Sequence, residues 1–248
     1  KHQGDCIVEN MQSGEVISSM QRPLLENDNN VFIRFNKAIS ILRKTRRFNE
    51  KSFSKLVSSR KPFGFATSYK GFSESKEKTI KLHTSNGVGY MGKDDILRNY
   101  DWVNNYKVYI ARAYGERISS EFWVLGKPFL GEPNTACTET YLVIGNFENE
   151  KVCQNVMSYI RSRFFRFLVL LKKNTQDGTS KVYEFVPMQD FSRPWTDEQL
   201  YAKYGLSKDE IKFIEVMVRE MPDKHIDIKK KKRTKPSKQT DLLEGGDE

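Results

Sequence analysis

Residues 148–173 carry the longest regular pattern of apolar side chains in this sequence. Apolar residues recur there every three or four positions, at Val152, Val156, Tyr159, Ile160, Phe164, Phe167, Leu168 and Leu171. This spacing places them on one side of an α-helix. We therefore predict one long amphipathic helix over 148–173, whose apolar side must pack against other elements of the fold.

Segments with the composition of β-strands lie on both sides of this helix. They are rich in β-branched and aromatic residues and are bounded by turn residues. The predicted strands are 6–8, 15–17, 63–67, 79–83, 107–111, 140–144 and 182–186. The cluster Gly87, Gly89 and Gly92 matches the loose GxGxxG spacing, but no βαβ unit follows it, so we interpret it as part of a strand–turn–strand region.

Helical spacing also occurs before and after these strands. Apolar residues predict a helix over 31–46 and a shorter one over 50–58. Thr196 and Ser207 each precede an amide or carboxylate residue by three positions, which is the capping-box pattern of a helix start. The fold class is therefore predicted to be α+β: a mixed β-sheet domain with a long amphipathic helix and a C-terminal helical segment, preceded by a connector helix.

These patterns divide the sequence into three ranges. Residues 1–58 are interpreted as the end of an upstream domain and a connector helix, because two short strands are too few for a stable sheet. Residues 59–221 form the main domain. Residues 222–248 combine a run of cations with an acidic end, and we expect them to be a disordered charged tail. The sequence opens without Met, so we expect it to be part of a longer protein or a processed chain.

Several classes of protein are excluded by simple counts. The longest apolar run, Phe167–Leu171, is far too short to span a bilayer, so no membrane partner is expected. The opening residues lack the apolar stretch of a signal peptide. Cys6, Cys137 and Cys153 are widely separated and odd in number, which favours reduced thiols in a cytoplasmic protein. No residue set has the spacing of a metal site, and Cys137 is expected to be a small buried residue.

The charge balance indicates a polyanionic partner. Lys and Arg number 42 against 32 Asp and Glu, a net charge of +10, and residues 1–221 carry +8 of it. Arg161, Arg163 and Arg166 lie among aromatic residues and lead into a polar loop, where phosphates could be bound and bases read. The candidate DNA contacts are Lys61, Lys70, Arg112, Arg161, Arg163, Lys172, Lys173, Asn174 and Gln176. A solvated helix face, or a structural role for Arg161 or Arg163, is the alternative.

Two other functions stay open. Asp197, Glu210 and Lys212 imitate the carboxylate and lysine set of a metal-dependent nuclease, although both acids lie in the first turns of predicted helices, where they stabilise helix starts. A scaffold that binds a partner subunit through its aromatic surface is the second alternative. No cofactor motif occurs in the sequence.

Several stretches resemble the C-terminal part of restriction–modification adenine-N6 DNA methyltransferases of the TaqI-like and type IIG (fused methylase–nuclease) kind. They cover most of residues 60–220 and are Lys61–Phe65, Glu132–Ile144, Tyr159–Leu168, Phe185–Phe191 and Trp195–Gly205. The opening stretch Gly4–Glu9 resembles the chain as it leaves the methyltransferase core.

This resemblance implies the target-recognition domain (59–221) of a type II system that binds double-stranded DNA. In that family an upstream methyltransferase domain holds S-adenosylmethionine and an Asn/Asp-Pro-Pro-Tyr/Phe motif that binds the flipped adenine. Neither motif occurs here, since Pro133-Asn134-Thr135 has the reverse order. The cofactor is therefore expected only in that upstream domain, and enzymatic activity is left open for this chain.

Overall fold

The computed structural model describes residues 4–26, 29–75, 79–115 and 123–221. The strands in these ranges are β1 (Asp5–Gln12), β2 (Glu15–Pro23), β3 (Ile80–Thr84), β4 (Gly87–Met91), β5 (Tyr106–Ala111), β6 (Phe129–Gly131), β7 (Thr135–Cys137) and β8 (Tyr141–Phe147). The helices are α1 (Asn36–Arg46), α2 (Tyr100–Val103), α3 (Glu150–Arg161), α4 (Arg163–Lys172), α5 (Asp197–Lys203) and α6 (Lys208–Met217). The predicted α+β class is confirmed.

The strands form three small sheets. β1 and β2 make an antiparallel hairpin. The second sheet has the order β4-β3-β7 and is mixed, because β3 pairs antiparallel with β4 but parallel with β7. The third sheet, β6-β5-β8, is antiparallel, with Tyr109 of β5 paired to Phe129 on one side and Val143 on the other.

The third sheet separates two hydrophobic cores. Val108 and Ile110 of β5 belong to the larger core, which they share with α1, α3, α4, α5 and α6. Tyr109 points to the opposite side, as alternation along a strand requires. It joins the smaller core together with Leu82 of β3 and Phe63. The mixed sheet and the helices α1, α3, α4, α5 and α6 therefore lie on opposite faces of the third sheet.

The predicted single helix over 148–173 is wrong, because the chain leaves the helical conformation at Ser162. Ser162 has extended dihedral angles, ends α3 and caps α4 by accepting a hydrogen bond from the N–H of Phe165 at 3.1 Å. The carboxylate of Asp197 accepts the N–H groups of Arg163 and Phe164, both at 2.9 Å. A side chain from α5 thus satisfies donors that a continuous helix would have used internally.

Two predicted strands are also wrong. Residues 182–186 overlap a 3₁₀ turn, Ser180–Tyr183, whose apolar side chains are buried against α4 without strand pairing. Residues 63–67 form a turn in which the N–H of Gly64 donates to the carbonyl of Lys61 at 2.9 Å. Gly64 has φ +96°, and a Cβ there would lie 2.5 Å from Cβ of Leu97. The turn needs glycine at this position.

The predicted helix over 50–58 is reduced to a 3₁₀ turn, Phe53–Leu56, and the helix predicted over 31–46 begins at Asn36. The remaining predicted elements are observed. The predicted strands 6–8 and 15–17 lie within β1 and β2 of the hairpin. The strands predicted at 79–83, 107–111 and 140–144 are also present, with boundaries shifted by a few residues. Gly87 and Gly89 lie in β4, next to the turn from β3. Capping boxes are present at both Thr196 and Ser207. Cys137 and Cys153 are buried, and all three cysteines are free.

The packing is continuous across residue 58, where the first predicted range ends. Ile41 and Leu42 of α1 lie in the larger core with α3 and α4. Phe53 packs edge-to-face on Phe165, with 4.9 Å between the ring centroids. Residues 33–57 are therefore part of the same folded body as 59–221. The predicted tail, 222–248, lies outside the described residues, among which no helix is long and apolar enough to cross a membrane.

Candidate nucleic-acid interface

Within residues 1–221, the net positive charge comes from one short stretch of the sequence. Residues 29–61 contain ten Lys and Arg but a single acid, Glu50, which gives this stretch a net charge of +9. The rest of residues 1–221 has a net charge of −1. A polyanion would therefore be attracted mainly to the surface that 29–61 forms.

The helix α1 divides its side chains between the core and solvent. Ala38, Ile39, Ile41, Leu42 and Thr45 are buried, at the spacing of one helix face. The cations fall on the remaining positions, with Arg43, Lys44 and Arg46 in the last turn, where positive charge is favoured by the helix dipole. Burial of the apolar stripe thus holds the cations at the surface.

The hairpin is attached to the start of α1 by the buried side chain of Asn36. Its Nδ2 donates to the carbonyl of Val8 at 2.7 Å, and its Oδ1 accepts from Nε of Arg22 at 2.9 Å. The backbone N–H of Asn36 donates to Oδ1 of Asn10 at 2.9 Å. Arg22 also donates to the carbonyl of Ile33 at 2.5 Å, and its burial lowers its pKa. These bonds fix the hairpin beside α1.

A basic groove runs between β2 and α1. It has a volume of about 430 Å³, and its floor includes Met20 and Ile39. Four cations line it, namely Lys37, Arg43, Lys44 and Arg47. We call these four residues together with Arg34 the α1 surface.

The cations of the α1 surface differ in how they are paired. Arg43 contacts Glu26 at 2.7 Å and Lys44 contacts Glu210 at 2.6 Å. Arg34, Lys37 and Arg47 are exposed and form no ion pair within the described ranges. Unpaired exposed cations are the ones that can exchange water and counterions for phosphate contacts. The α1 surface therefore keeps at least three charges available.

Most of the basic residues predicted to contact DNA are instead bound within the fold. Arg112 contacts Asp177 at 2.5 Å and donates to the carbonyl of Glu139. Arg163 lies 3.5 Å from Glu220 and 4.0 Å from Glu215. Lys172 forms an ion pair with Glu184, and Lys173 donates to the carbonyl of Tyr114 at 2.8 Å. Burial lowers the pKa of Lys173.

The remaining predicted contacts occupy other parts of the surface. Asn174 and Gln176 are exposed on the loop after α4, and the carbonyl of Gln176 accepts the N–H of Tyr114 at 2.9 Å. Lys61 is exposed at the turn before Phe63, and Lys70 is exposed ahead of β3. Arg161 is half-buried, and its carbonyl accepts two hydrogen bonds from Arg166. The structure thus brings Arg112, Lys173, Asn174 and Gln176 together, but places the others elsewhere.

The carboxylates of the nuclease alternative stabilise helix starts. Asp197 caps α4 as described above, and burial raises its pKa. Glu210 accepts the N–H of Ser207 at 2.7 Å and pairs with Lys44. Across the described part of the chain, no group of three His, Cys, Asp or Glu side chains is arranged to hold a metal ion.

Comparison with family models, with curated proteins and with solved structures gives no match to this chain.

The sequence analysis did not select the α1 surface, because residues 1–58 were interpreted as the end of an upstream domain and a connector helix. The signal was present, since a count of charges in windows of about 30 residues isolates 29–61.

Proposed function

We propose that this chain binds double-stranded DNA, with the α1 surface on the phosphate backbone. The concentration of nine net positive charges in residues 29–61 supports this proposal most strongly. The eleven residues of α1 extend over about 16 Å, which corresponds to roughly five base pairs of duplex. Three unpaired cations on that length provide several phosphate contacts without any rearrangement of the fold.

The exposed loop after α4 is proposed to contribute sequence preference. Amide side chains such as Asn174 and Gln176 can pair with adenine through two hydrogen bonds in the major groove. Together with the resemblance in residues 60–220, this supports a role as the specificity part of a type II adenine-N6 methyltransferase system. The proposal gives this chain recognition and assigns methyl transfer to another domain.

The test removes two unpaired cations from the α1 surface. The variant Lys37→Ala with Arg47→Ala is compared with Lys151→Ala with Lys181→Ala, which removes two exposed lysines outside residues 29–61. Fluorescence anisotropy with a random-sequence duplex is recorded across a salt series. If both residues contact phosphates, the slope of log affinity against log salt falls by roughly 1.8, and affinity near 0.1 M salt falls about tenfold or more.

The control pair should retain the slope of the unmodified chain. Equal slopes in the two double variants would contradict the assignment of the interface to α1. Selection of tight binders from a random library then tests sequence preference. Enrichment of a motif that changes with Gln176→Ala supports base reading by the loop, while an unchanged motif would contradict it.

A partner-binding scaffold has one observation in its favour. The hairpin exposes apolar side chains, among them Ile7 at 71%, Met11 at 63% and Ile17 at 59%. Exposed apolar groups of this kind on one small element are typical of contact surfaces. Salt-insensitive association with a protein and no affinity for DNA would favour that function.

A further inference from the structure

An apolar groove lies beside the α1 surface, between the hairpin and α6. Its volume is about 710 Å³. Its apolar lining comes from three elements and consists of Met11, Ile17, Phe35, Phe213, Val216 and Met217. Val216 is 55% exposed although it lies on a helix whose other side is in the core. A groove of this size accommodates a few apolar side chains of a bound segment.

The rim of the groove has a positive bias. Arg34, Lys37 and Lys212 line it together with two acids, Glu9 and Asp209. Lys37 lies 5.9 Å from the ring centroid of Phe213, so the apolar floor and the positive rim are adjacent. An occupant that matches this groove carries apolar side chains flanked by negative charges.

One segment of this chain has that composition. Residues 241–248 read Asp-Leu-Leu-Glu-Gly-Gly-Asp-Glu, with two leucines, four acids and no cation. Met217 lines the groove, and the described chain continues to Met221. Nineteen residues, 222–240, separate Met221 from Asp241, and an extended chain of that length reaches roughly 65 Å. The segment can therefore return to the groove from the end of α6.

We propose that Leu242 and Leu243 bind in this groove, with the surrounding acids facing Arg34, Lys37 and Lys212. Because Arg34 and Lys37 also belong to the α1 surface, the bound segment would cover cations that contact DNA. This masking of the DNA site rests on the function proposed above, whereas the docking itself does not.

Tethering makes even a weak contact effective. A linker of this length gives an effective concentration on the order of 1 mM. A segment with an intrinsic dissociation constant of about 0.1 mM would then be bound about ten times as often as free. Release of the segment is expected to raise the affinity for DNA by up to about tenfold at low salt.

Methyl NMR of the full chain, without DNA, tests the docking. Leu242→Ala with Leu243→Ala should shift the ε-methyl signals of Met11 and Met217, which line the groove. The signal of Met91, buried in the smaller core, should stay unchanged. The matched control is Ile226→Ala with Ile228→Ala, which shortens two other aliphatic residues of 222–248. Signals are assigned with Met11→Leu and Met217→Leu.

Unchanged Met11 and Met217 signals in the leucine variant would overturn the proposal. Shifts that disappear on dilution of the protein would also overturn it, because a second copy would then be the occupant. Fluorescence anisotropy tests the masking of the DNA site separately. If the leucine variant binds DNA more tightly than the unmodified chain, the result supports masking. Equal affinities of the two proteins would reject it. If the chain bound no DNA at all, the proposed function would fail while the NMR result still decided the docking.

Discussion

Two regions of this protein place cations among aromatic residues, but they use them differently. In the α1 region, residues 29–61, Arg34, Lys37 and Arg47 are exposed and unpaired within the described chain. In the α3–α4 region, residues 150–178, Arg166 is fully buried and Lys172 pairs with Glu184. A similar local composition therefore leaves exposed cations without ion pairs in one region and gives internal support in the other.

The difference arises from acids that are distant in sequence. Glu184, Glu215 and Glu220 all follow the α3–α4 region in the chain, and the fold brings them to Lys172 and Arg163. The α1 region has more cations than its neighbouring acids can pair. The number of cations in a segment is therefore a weaker indicator of binding than the net charge of the surface around it.

The largest effect is expected from the buried arginine of the α3–α4 region. Arg166 donates hydrogen bonds to the carbonyls of Arg161, Ser162, Trp123 and Arg219. Arg166→Met removes these buried side-chain hydrogen bonds, so the free energy of unfolding should fall by about 3 kcal/mol or more. Urea denaturation monitored by circular dichroism measures this free energy of unfolding.

Arg47→Met, on the α1 surface, is the matched control for Arg166→Met. It removes an exposed side chain and should change the free energy of unfolding by less than about 0.5 kcal/mol. If the free energy of unfolding fell by similar amounts in the two variants, the proposed difference between the α1 and α3–α4 regions would be contradicted.

An intermediate effect is expected from Lys107, which is buried and forms no ion pair with any acid of the described residues. Four carbonyls lie within hydrogen-bond distance of its ammonium, including those of Trp102 and Asn105, both at 2.7 Å. Burial lowers the pKa of Lys107 from 10.5 to about 8. Between pH 8 and 10.5 the unfolded chain binds more protons at this residue than the folded chain, so its contribution to stability rises with pH.

The measurement compares the unmodified chain with Lys107→Met by urea denaturation between pH 7.5 and 10.5. The free energy of unfolding of the unmodified chain, minus that of Lys107→Met, should increase by about 1–3 kcal/mol as pH rises. Lys37→Met, at an exposed lysine, is the matched control. A difference that stays constant with pH would contradict the lowered pKa.

The smallest effect is expected from Lys172→Ala. Its Nζ pairs with Glu184 and donates to Asn30 at 3.2 Å, and partly exposed ion pairs contribute about 1 kcal/mol or less. Because Lys172 is paired, the salt dependence of DNA binding should also stay the same. If the slope of log affinity against log salt were lower by about 1, the loop after α4 would instead contact phosphate, as the sequence analysis predicted.

Local patterns predicted much of the fold. The capping boxes at Thr196 and Ser207 gave the starts of α5 and α6, because their partners are only three residues away. The break at Ser162 could not be predicted in the same way. It depends on Asp197, which lies 35 positions along the chain and supplies hydrogen bonds that a local pattern does not contain.

The candidate interface depends less on local patterns. The sequence indicated a polyanion partner, but four of the seven basic residues chosen for it are bound within the fold, among them Arg112 and Arg163. The α1 surface was assigned to a connector, although its charge could have been counted. Its place beside the hairpin depends on Asn36, whose buried partners Val8 and Arg22 are far away in the sequence.

The sequence by itself determined the α+β class, the starts of α5 and α6, most strands and the excess of positive charge. These properties depend on periodicity, on partners within a few residues and on simple sums. Only the tertiary structure decided which cations are free, which helix is broken and where the charge is concentrated in space. Ion pairs and caps act over a few ångströms, and the fold alone brings residues that are distant in the chain to that distance.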